Sequence, residues 1–360
     1  MKDSLNATDI TWRDITSLDE LSAIKDDWCA LNTRCEKGNL FTSPLWNSIW
    51  IETYWQSHWQ LQVITGWHEK KLIAIFPLYR QLQKHGFTTK SIFPLGTGEP
   101  ESSEVFSEYF DLLLHPHYED IVLPALAKKI KEFKADQLCF RAILTDSHLS
   151  ALFKKVFNYS AIASHSRYIV NRSIWSLTSL SKNTRSRYKR AINQLTNIHA
   201  QFCWVEPEQY ENFVTSLVKY HQNRWQEKGQ HGAFFHKDFT AFHQTLRNDG
   251  PPTRVKMSAI VVAGKPIAIN YYLADDTTLY FYQCGWDETN YAKFSLGMSL
   301  HLWSIEHCEH QYYDFMMGGN NDNSYKAKFG CTQDPMTNIA INVNRGKVFV
   351  NKIFKKLGFN

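Results

Sequence analysis

Four groups of residues in the second half of this 360-residue chain have the types and spacing that chemistry needs. The first is Tyr291-Ala-Lys-Phe-Ser-Leu-Gly-Met-Ser-Leu300, where Ser295 and Gly297 stand just as an apolar helical pattern begins. A helix start exposes unpaired backbone N–H groups and the positive end of a dipole, so a phosphate docks there. A serine N-cap beside a close-packing glycine would read the same way. The second is Asp314 in the strand-like Tyr312-Tyr-Asp-Phe-Met-Met317, followed by the flexible Gly318-Gly319-Asn320-Asn321. A carboxylate at such a strand end can take a proton from an attacking amine or hydroxyl, or it can pair with a structural Arg or Lys. The third is the aromatic and basic cluster Tyr325, Lys326, Lys328 and Phe329, where Tyr325 could donate a proton and Lys326 could stabilise developing charge. A solvated basic helix with one aromatic tucked inward is the plain alternative. The fourth is Arg224-Trp225, a forked cation beside a flat ring, suited to a carboxylate, phosphate or sugar, or else a buried Trp capped by a surface Arg. His221, on the same helical pattern, reads as a satisfied polar residue.

Charge is distributed unevenly around these groups. Residues 181–199 hold five bases and no acid, and helical spacing puts Lys182, Arg185 and Lys189 on one face, able to attract an anionic acceptor or merely solvated. Residues 99–111 hold five acids and no base, and 99–108 reads as an exposed loop. Nucleotide-binding, nucleophile-elbow and zinc-protease motifs are all missing from the sequence. The 15 histidines never form a recognisable ligand spacing, so no metal is expected. The seven cysteines are scattered and never form C-x-x-C, which predicts free thiols.

The elements that must position these groups form two α/β halves. In the first, helices are predicted over 17–35 and 44–54, a strand over 60–67, a turn at 68–71 and a strand over 72–78. A strand over 109–114, a helix over 118–133 with Pro124 near its start or at a kink, and a strand over 137–141 follow. In the second half, the basic segment reads as a connecting helix and 207–228 and 238–249 as helices. Strands over 254–262, 267–274 and 278–283 are joined by tight turns at Gly264-Lys265-Pro266 and Asp275-Asp276. A helix over 296–307 and a strand over 312–316 complete a β-β-β-α-β order, with the last strand expected beside the third.

That order is the core of the GNAT acyltransferase fold. The second half resembles the FemAB-like, CelD-type acetyltransferases of that superfamily, in which two GNAT-like domains sit in tandem. The resemblance is carried by His221-x-x-Arg224-Trp225-x-x-x-Gly229, Gly264-Lys265-Pro266-Ile267-Ala268, Tyr291-x-x-x-Ser295-x-Gly297, and Asp314-Phe-Met-Met-Gly-Gly319 leading to Tyr325-Lys326-x-x-Phe329-Gly330. Weaker matches in the first half are Phe41-Thr-Ser-Pro-Leu-Trp46, Phe76-Pro77-Leu78 and Ser107-Glu-Tyr109-Phe-Asp111, so the likeness spans roughly residues 27–330. It implies an α/β (α+β) fold of two tandem GNAT-like domains, each a mixed, largely antiparallel sheet flanked by helices. The domain bounds expected are 1–180, a basic linking helix 181–200, an acyltransferase domain 201–345 and a tail 346–360.

The resemblance also implies a chemistry. An acetyl-CoA or other acyl-CoA co-substrate would set its diphosphate on Lys293, Ser295, Gly297, Met298 and Ser299, although GNAT loops usually read Gln/Arg-x-x-Gly-x-Gly/Ala there. Its thioester would lie between strands of the second domain. A small-molecule or glycan acceptor would enter a cleft between the halves lined by Arg224, Trp225, Arg185 and Lys326, with Asp314 as base and Tyr325 assisting the thiolate. The implied pathway is a surface polysaccharide or similar metabolite. Two other readings share the fold. One is a Fem-type aminoacyl transferase using charged tRNA, whose members often carry a helical-hairpin insertion that has no counterpart here. The other is a non-catalytic module that binds acyl-CoA or a glycan.

Composition bounds these readings. Hydrophobic residues make up 43% and charged residues 21%, and no run reaches the roughly 18 apolar residues of a membrane span, so no stable membrane insertion is expected. The polar, acid-bearing N-terminus fits no leader peptide, which predicts a cytoplasmic protein. A net charge of +5 is too small for a DNA-binding protein. Twelve tryptophans and 14% aromatics call for a large core or a stacking groove.

Overall fold

The computed structural model describes residues 9–85, 87–159, 162–319 and 324–356. The chain folds as two compact units, Met1–Ser164 with Pro335–Asn360, and His165–Asp334. The first unit opens with β1 (Thr11–Ile15) and α1 (Leu18–Ala23), whose N-cap Ser17 and Glu20 form a reciprocal capping box. The single helix expected over 17–35 breaks at Ile24 (φ −102°, ψ 10°), and α2 (Lys25–Arg34) starts afresh. α3 (Pro44–Tyr54) has the predicted bounds because Ser43 accepts from Trp46 N and Pro44 fills a first-turn position that needs no donor. β2 (Gln60–His68) and β3 (Lys71–His85) meet through Glu69 and Lys70, both left-handed, the geometry of a tight hairpin.

β4 (Phe87–Pro94) pairs antiparallel with β3. The strand expected over 109–114 shrinks to β5 (Leu113–Leu114), since Tyr109 is left-handed and Asp111 is buried, accepting from the N–H groups of Leu112, His148 and Leu149. α4 (Glu119–Lys131) carries Pro124 inside it. β6 (Gln137–Leu144) then lies parallel to β4, and α5 (His148–Phe157) follows.

The second unit begins with β7 (His165–Asn171), α6 (Lys182–Asn197), β8 (Gln201–Trp204), α7 (Tyr210–Gln226) and α8 (Lys237–Asn248). β9 (Val255–Val262), β10 (Lys265–Ala274) and β11 (Thr278–Trp286) form the predicted antiparallel meander. After the short α9 (Glu288–Tyr291), α10 (Leu296–His307) leads to β12 (Tyr312–Gly319), which pairs parallel with β11 as expected. The chain then returns to the first unit with β13 (Thr332–Asn342), antiparallel to β6, and α11 (Arg345–Lys356).

The division between units differs from the sequence-based bounds for a pairing reason. β7 pairs with β12, Tyr312 opposite Asn171 and Asp314 opposite Ile169, so the second unit starts at His165 rather than after 180. The segment expected as a tail is the helix α11, tied back by Lys347 Nζ to Asp136 Oδ2 at 2.9 Å and by Asn351 to Thr89.

Each unit therefore repeats one plan. The first orders its strands β1-β2-β3-β4-β6-β13, the second β8-β9-β10-β11-β12-β7, and in each the one parallel contact joins the third meander strand to the strand after the helix. Packing accounts for much of the aromatic excess. Trp28, Trp46 and Trp50 are fully buried, and their indole N–H groups donate to Thr42 O, Ser107 Oγ and Glu99 Oε2 at 3.0, 2.7 and 2.9 Å. The acidic stretch 99–108 is thus no exposed loop, for Glu99 and Glu108 are buried.

Candidate active site

The cavity that gathers the sequence-predicted groups lies in the second unit, where β11 and β12 part. Their pairing covers Thr278–Tyr280 against Tyr312–Asp314, and β11 continues past it through residues 281–286. The opening holds about 360 Å³ and is floored by Trp286 and Cys284 of β11 and closed by the first turn of α10, Leu296, Gly297 and Met298. Arg187 reaches it from α6, Arg224 from α7, and Tyr325 and Lys328 from a 3-10 turn at Tyr325–Phe329. Glu288 is the one carboxylate among the lining residues. Three cations against one acid, set around a helix start, make a site for an anion.

The start of α10 is not an ordinary serine cap. Ser295 is left-handed (φ 51°) and makes no side-chain cap hydrogen bond; its Oγ accepts from Arg187 Nε at 3.1 Å. The first-turn N–H groups therefore have no capping side chain, and their residues, Leu296, Gly297 and Met298, line the cavity. Gly297 is not required by packing, since a Cβ there would meet the Trp286 ring at an ordinary 3.5 Å. What the glycine leaves is room over the first turn. The Arg224 guanidinium lies 4.5 Å from the centroid of the same Trp286 ring, a cation held flat at the mouth.

Other predicted site residues lie outside this lining. Ser299 is fully buried with its Oγ unpartnered, and Lys293 is exposed, its Nζ 5.4 Å from the Phe294 ring. Trp225 donates Nε1–H to His221 Nε2 at 3.0 Å, and burial lowers the His221 pKa to about 4; its buried Nδ1 has no hydrogen-bond partner, so His221 is satisfied at one nitrogen only. Arg185 reaches back to the carbonyls of Thr178 and Leu180 at 2.6 and 2.5 Å and clasps the loop before α6.

Asp314 and Lys326 work on the backbone rather than at the cavity. Asp314, with no exposed surface, takes Arg167 Nε at 2.7 Å on Oδ2 and the Met316 N–H at 2.7 Å on Oδ1. Lys326 Nζ donates to the carbonyls of Phe315, Met316 and Met317 at 2.6, 3.3 and 2.8 Å. Both grip the bulge of β12, where the register with β7 shifts between Asp314 and Met317 and Met316 is left-handed. Neither is among the residues lining the cavity, and both shape the strand that parts from β11. Tyr325 does line the cavity; about half exposed at 51%, its phenol is still pushed above the ordinary tyrosine value by its buried surroundings and by Cys284.

Several lining residues escape the sequence reading, among them Cys284, Trp286, Glu288, Arg187 and His301. Arg187 is exposed and sits three residues after Thr184 and four before Ala191, at the edge of the buried stripe of α6 rather than on the face of Lys182, Arg185 and Lys189. That stripe was the available signal. His301 lies on α10 among Leu300, Leu302 and Ile305, all fully buried. A helix apolar all round gives no polar face from which to pick out one histidine. Burial, aided by the charge of Lys326, lowers its pKa to about 3.

Among the described residues, no group of three or more His, Cys, Asp or Glu side chains could hold a metal, and no helix is long and apolar enough to cross a membrane.

Residues 182–327 match a family model described as an acetyltransferase (GNAT) domain. That match spans α6 to the turn after β12, so it contains every element lining the cavity but the last residues of that turn. Beyond it, the fold of both units recurs in solved structures. FemX aligns with a TM-score of 0.61 at 10% identity, covering 94% of this chain and 99% of its own. A conserved protein of unknown function from Bacteroides thetaiotaomicron aligns at 0.54 and 14% identity, covering 92% and 99%. The C-terminal domain of a putative lysylphosphatidylglycerol synthetase from Agrobacterium fabrum aligns at 0.52 and 10% identity, covering 89% and 92%. No curated protein matches the sequence. The family match thus assigns acetyltransferase character to residues 182–327, and the two units repeat the tandem architecture that the sequence order implied.

Proposed function

We propose that the acyltransferase domain takes an acyl-CoA as donor and moves the acyl group to an amine or hydroxyl of a small molecule or glycan. One observation carries the reading: the cavity at the start of α10, with Arg187, Arg224 and Lys328 around an uncapped first turn and a parting of β11 from β12 beneath it. The diphosphate sits on the N–H groups of residues 296–298, with Arg187 and Arg224 as forked partners. The pantetheine arm follows the parting of the strands, as an added strand would, which brings the thioester to Tyr325 and His301. Tyr325, kept protonated, hydrogen-bonds the departing thiolate. Asp314 and Lys326 hold β12 in its bulged course. A surface polysaccharide precursor is the acceptor class that the sequence likeness favours, and an acyl-CoA donor suits a cytoplasmic setting.

A second reading, supported by the shared fold with FemX, replaces the donor with an aminoacyl-tRNA. The longest helix among the described residues is α7, of 17 residues, which offers no long hairpin for an RNA. Thermal unfolding of the full chain with free CoA, acetyl-CoA, longer acyl-CoAs and charged tRNA separates the readings. A ligand at about 100 times its Kd adds roughly 2.7 kcal/mol. A shift with CoA species is expected; a shift with charged tRNA alone transfers the assignment to the second reading.

A further inference from the structure

We propose that His301 is the general base of the acyl transfer, held by Tyr313 in the tautomer that leaves Nε2 bare toward the cavity. The inference rests on the acyl-transfer reading of that cavity. α10 brings His301 into the cavity wall, with 4% of its surface exposed. Phe281, Phe315 and Phe329 surround the ring at 4.4 to 5.2 Å between centroids, fixing its plane. Nδ1 meets Tyr313 Oη at 2.7 Å, so Nε2 is the nitrogen left to the cavity.

Proton counting along the chain behind it fixes the tautomer. The Tyr313 hydroxyl donates its single proton to Tyr272 Oη at 3.3 Å, so toward His301 it can only accept. Nδ1 therefore carries the ring proton, and in a neutral imidazole Nε2 is then the acceptor. Tyr272 Oη also receives Asn270 Nδ2–H at 3.0 Å, which fills its lone pairs and turns its own proton to Ser258 Oγ at 3.1 Å. Ser258 lies 2.9 Å from Ser304 Oγ. Each of these side chains is at most 4% exposed. A polar network this deep costs stability unless every member is satisfied, and its single direction serves the one nitrogen that opens on the cavity.

The other candidate bases lining or flanking the cavity are less suited. Both oxygens of Asp314 hold Arg167 and the Met316 N–H, and burial raises the Cys284 thiol to about 11. Glu288 is exposed at the rim. In the step itself, the acceptor's lone pair attacks the thioester carbonyl carbon and Nε2 takes the acceptor's proton. The C–S bond breaks with its electron pair on sulfur, and the imidazolium returns the proton to the CoA thiolate. Acyl-thioester and H–X become acyl–X and free thiol, and Nε2 is bare again. Burial of the ring opposes the imidazolium, and the donor's phosphates on the same helix offset that cost by stabilising the transient cation.

The test uses the full chain and two readouts. Long-range nitrogen–proton NMR of histidine-labelled protein is expected to show one buried histidine, absent in His301→Gln, with Nδ1 protonated and Nε2 bare, and Tyr313→Phe is expected to mix its tautomers. Thiol release from acetyl-CoA, with an amine and hydroxyl panel or water as acceptor, is expected to fall at least about 100-fold in His301→Gln while CoA affinity stays within about twofold. Glutamine keeps a donor for Tyr313 but offers no base, so the fold is retained. Wild-type turnover in His301→Gln, a bare Nδ1, or a comparable loss in Glu288→Gln alone overturns the proposal. Absence of any CoA binding by the wild-type chain instead removes the acyl-CoA reading, and the NMR result still decides the tautomer.

Discussion

The two units run the same strand plan, yet they treat the start of the corresponding helix in opposite ways. In the first unit α4 opens with Glu119 and Asp120, and Glu119 Oε1 also meets His148 Nε2 at 3.0 Å. The connection leading to it buries Glu99, Glu108 and Asp111. In the second unit α10 has no acid in its first turn, no side-chain cap and three cations around a cavity. One helix start answers its own dipole with carboxylates; the other leaves the dipole and its N–H groups to a ligand. One strand plan thus carries two different helix starts, and the proposed reaction belongs to the second.

The largest test concerns what holds the second unit in shape. Asp314→Ala removes the carboxylate that holds Arg167 Nε at 2.7 Å and frees the β12 bulge, and is expected to cost about 3 kcal/mol in denaturant unfolding; a loss below 1 kcal/mol would mean that the carboxylate does not hold the bulge. In the first unit, burial raises Glu99 to about 7 from an ordinary 4.5. A folded state that binds the proton more tightly is most stable below pH 4.5 and loses that contribution as pH rises through 7, by up to about 3 kcal/mol. Glu99→Gln should flatten that slope in stability-against-pH curves, and an unchanged slope assigns it elsewhere.

The next tests act on the helix start. Gly297→Glu puts a carboxylate where the diphosphate sits and is expected to weaken CoA at least about 100-fold by calorimetry, roughly 2.7 kcal/mol. Gly297→Ala, an ordinary contact with Trp286, should bind as wild type. Arg187→Ala and Arg224→Ala should each lose about tenfold. Arg185→Ala should leave binding unchanged, and equal losses in Arg185 and Arg187 variants would erase the distinction between the two faces of α6. Smallest is Asp120→Asn, expected to cost about 0.3–1 kcal/mol of stability and to confer no CoA binding on the first unit.

Much of this was legible in the sequence where local chemistry decides. The β9-β10-β11-α10-β12 order followed from periodicity and turn residues, and Ser295-x-Gly297 marked the helix start. Less legible was whatever depends on partners distant in sequence. Asp314 looks like a base until Arg167 arrives from β7, and Lys326 looks free until the β12 carbonyls close around it. β7 and β13 carry the division of units through pairings more than 100 residues apart, which no periodicity reports. Arg185 and Arg187 differ only in which side of α6 is buried, and His301 is hidden in an all-apolar helix whose network closes only in three dimensions.

The most direct measurement is calorimetric binding of CoA, 3′-dephospho-CoA and pantetheine to the wild-type chain and to Gly297→Glu. If the start of α10 holds the diphosphate, both diphosphate ligands bind the wild type, pantetheine binds at least about 100-fold more weakly, and Gly297→Glu abolishes the difference. Pantetheine binding as tightly as CoA, or Gly297→Glu binding CoA as wild type does, would contradict the account.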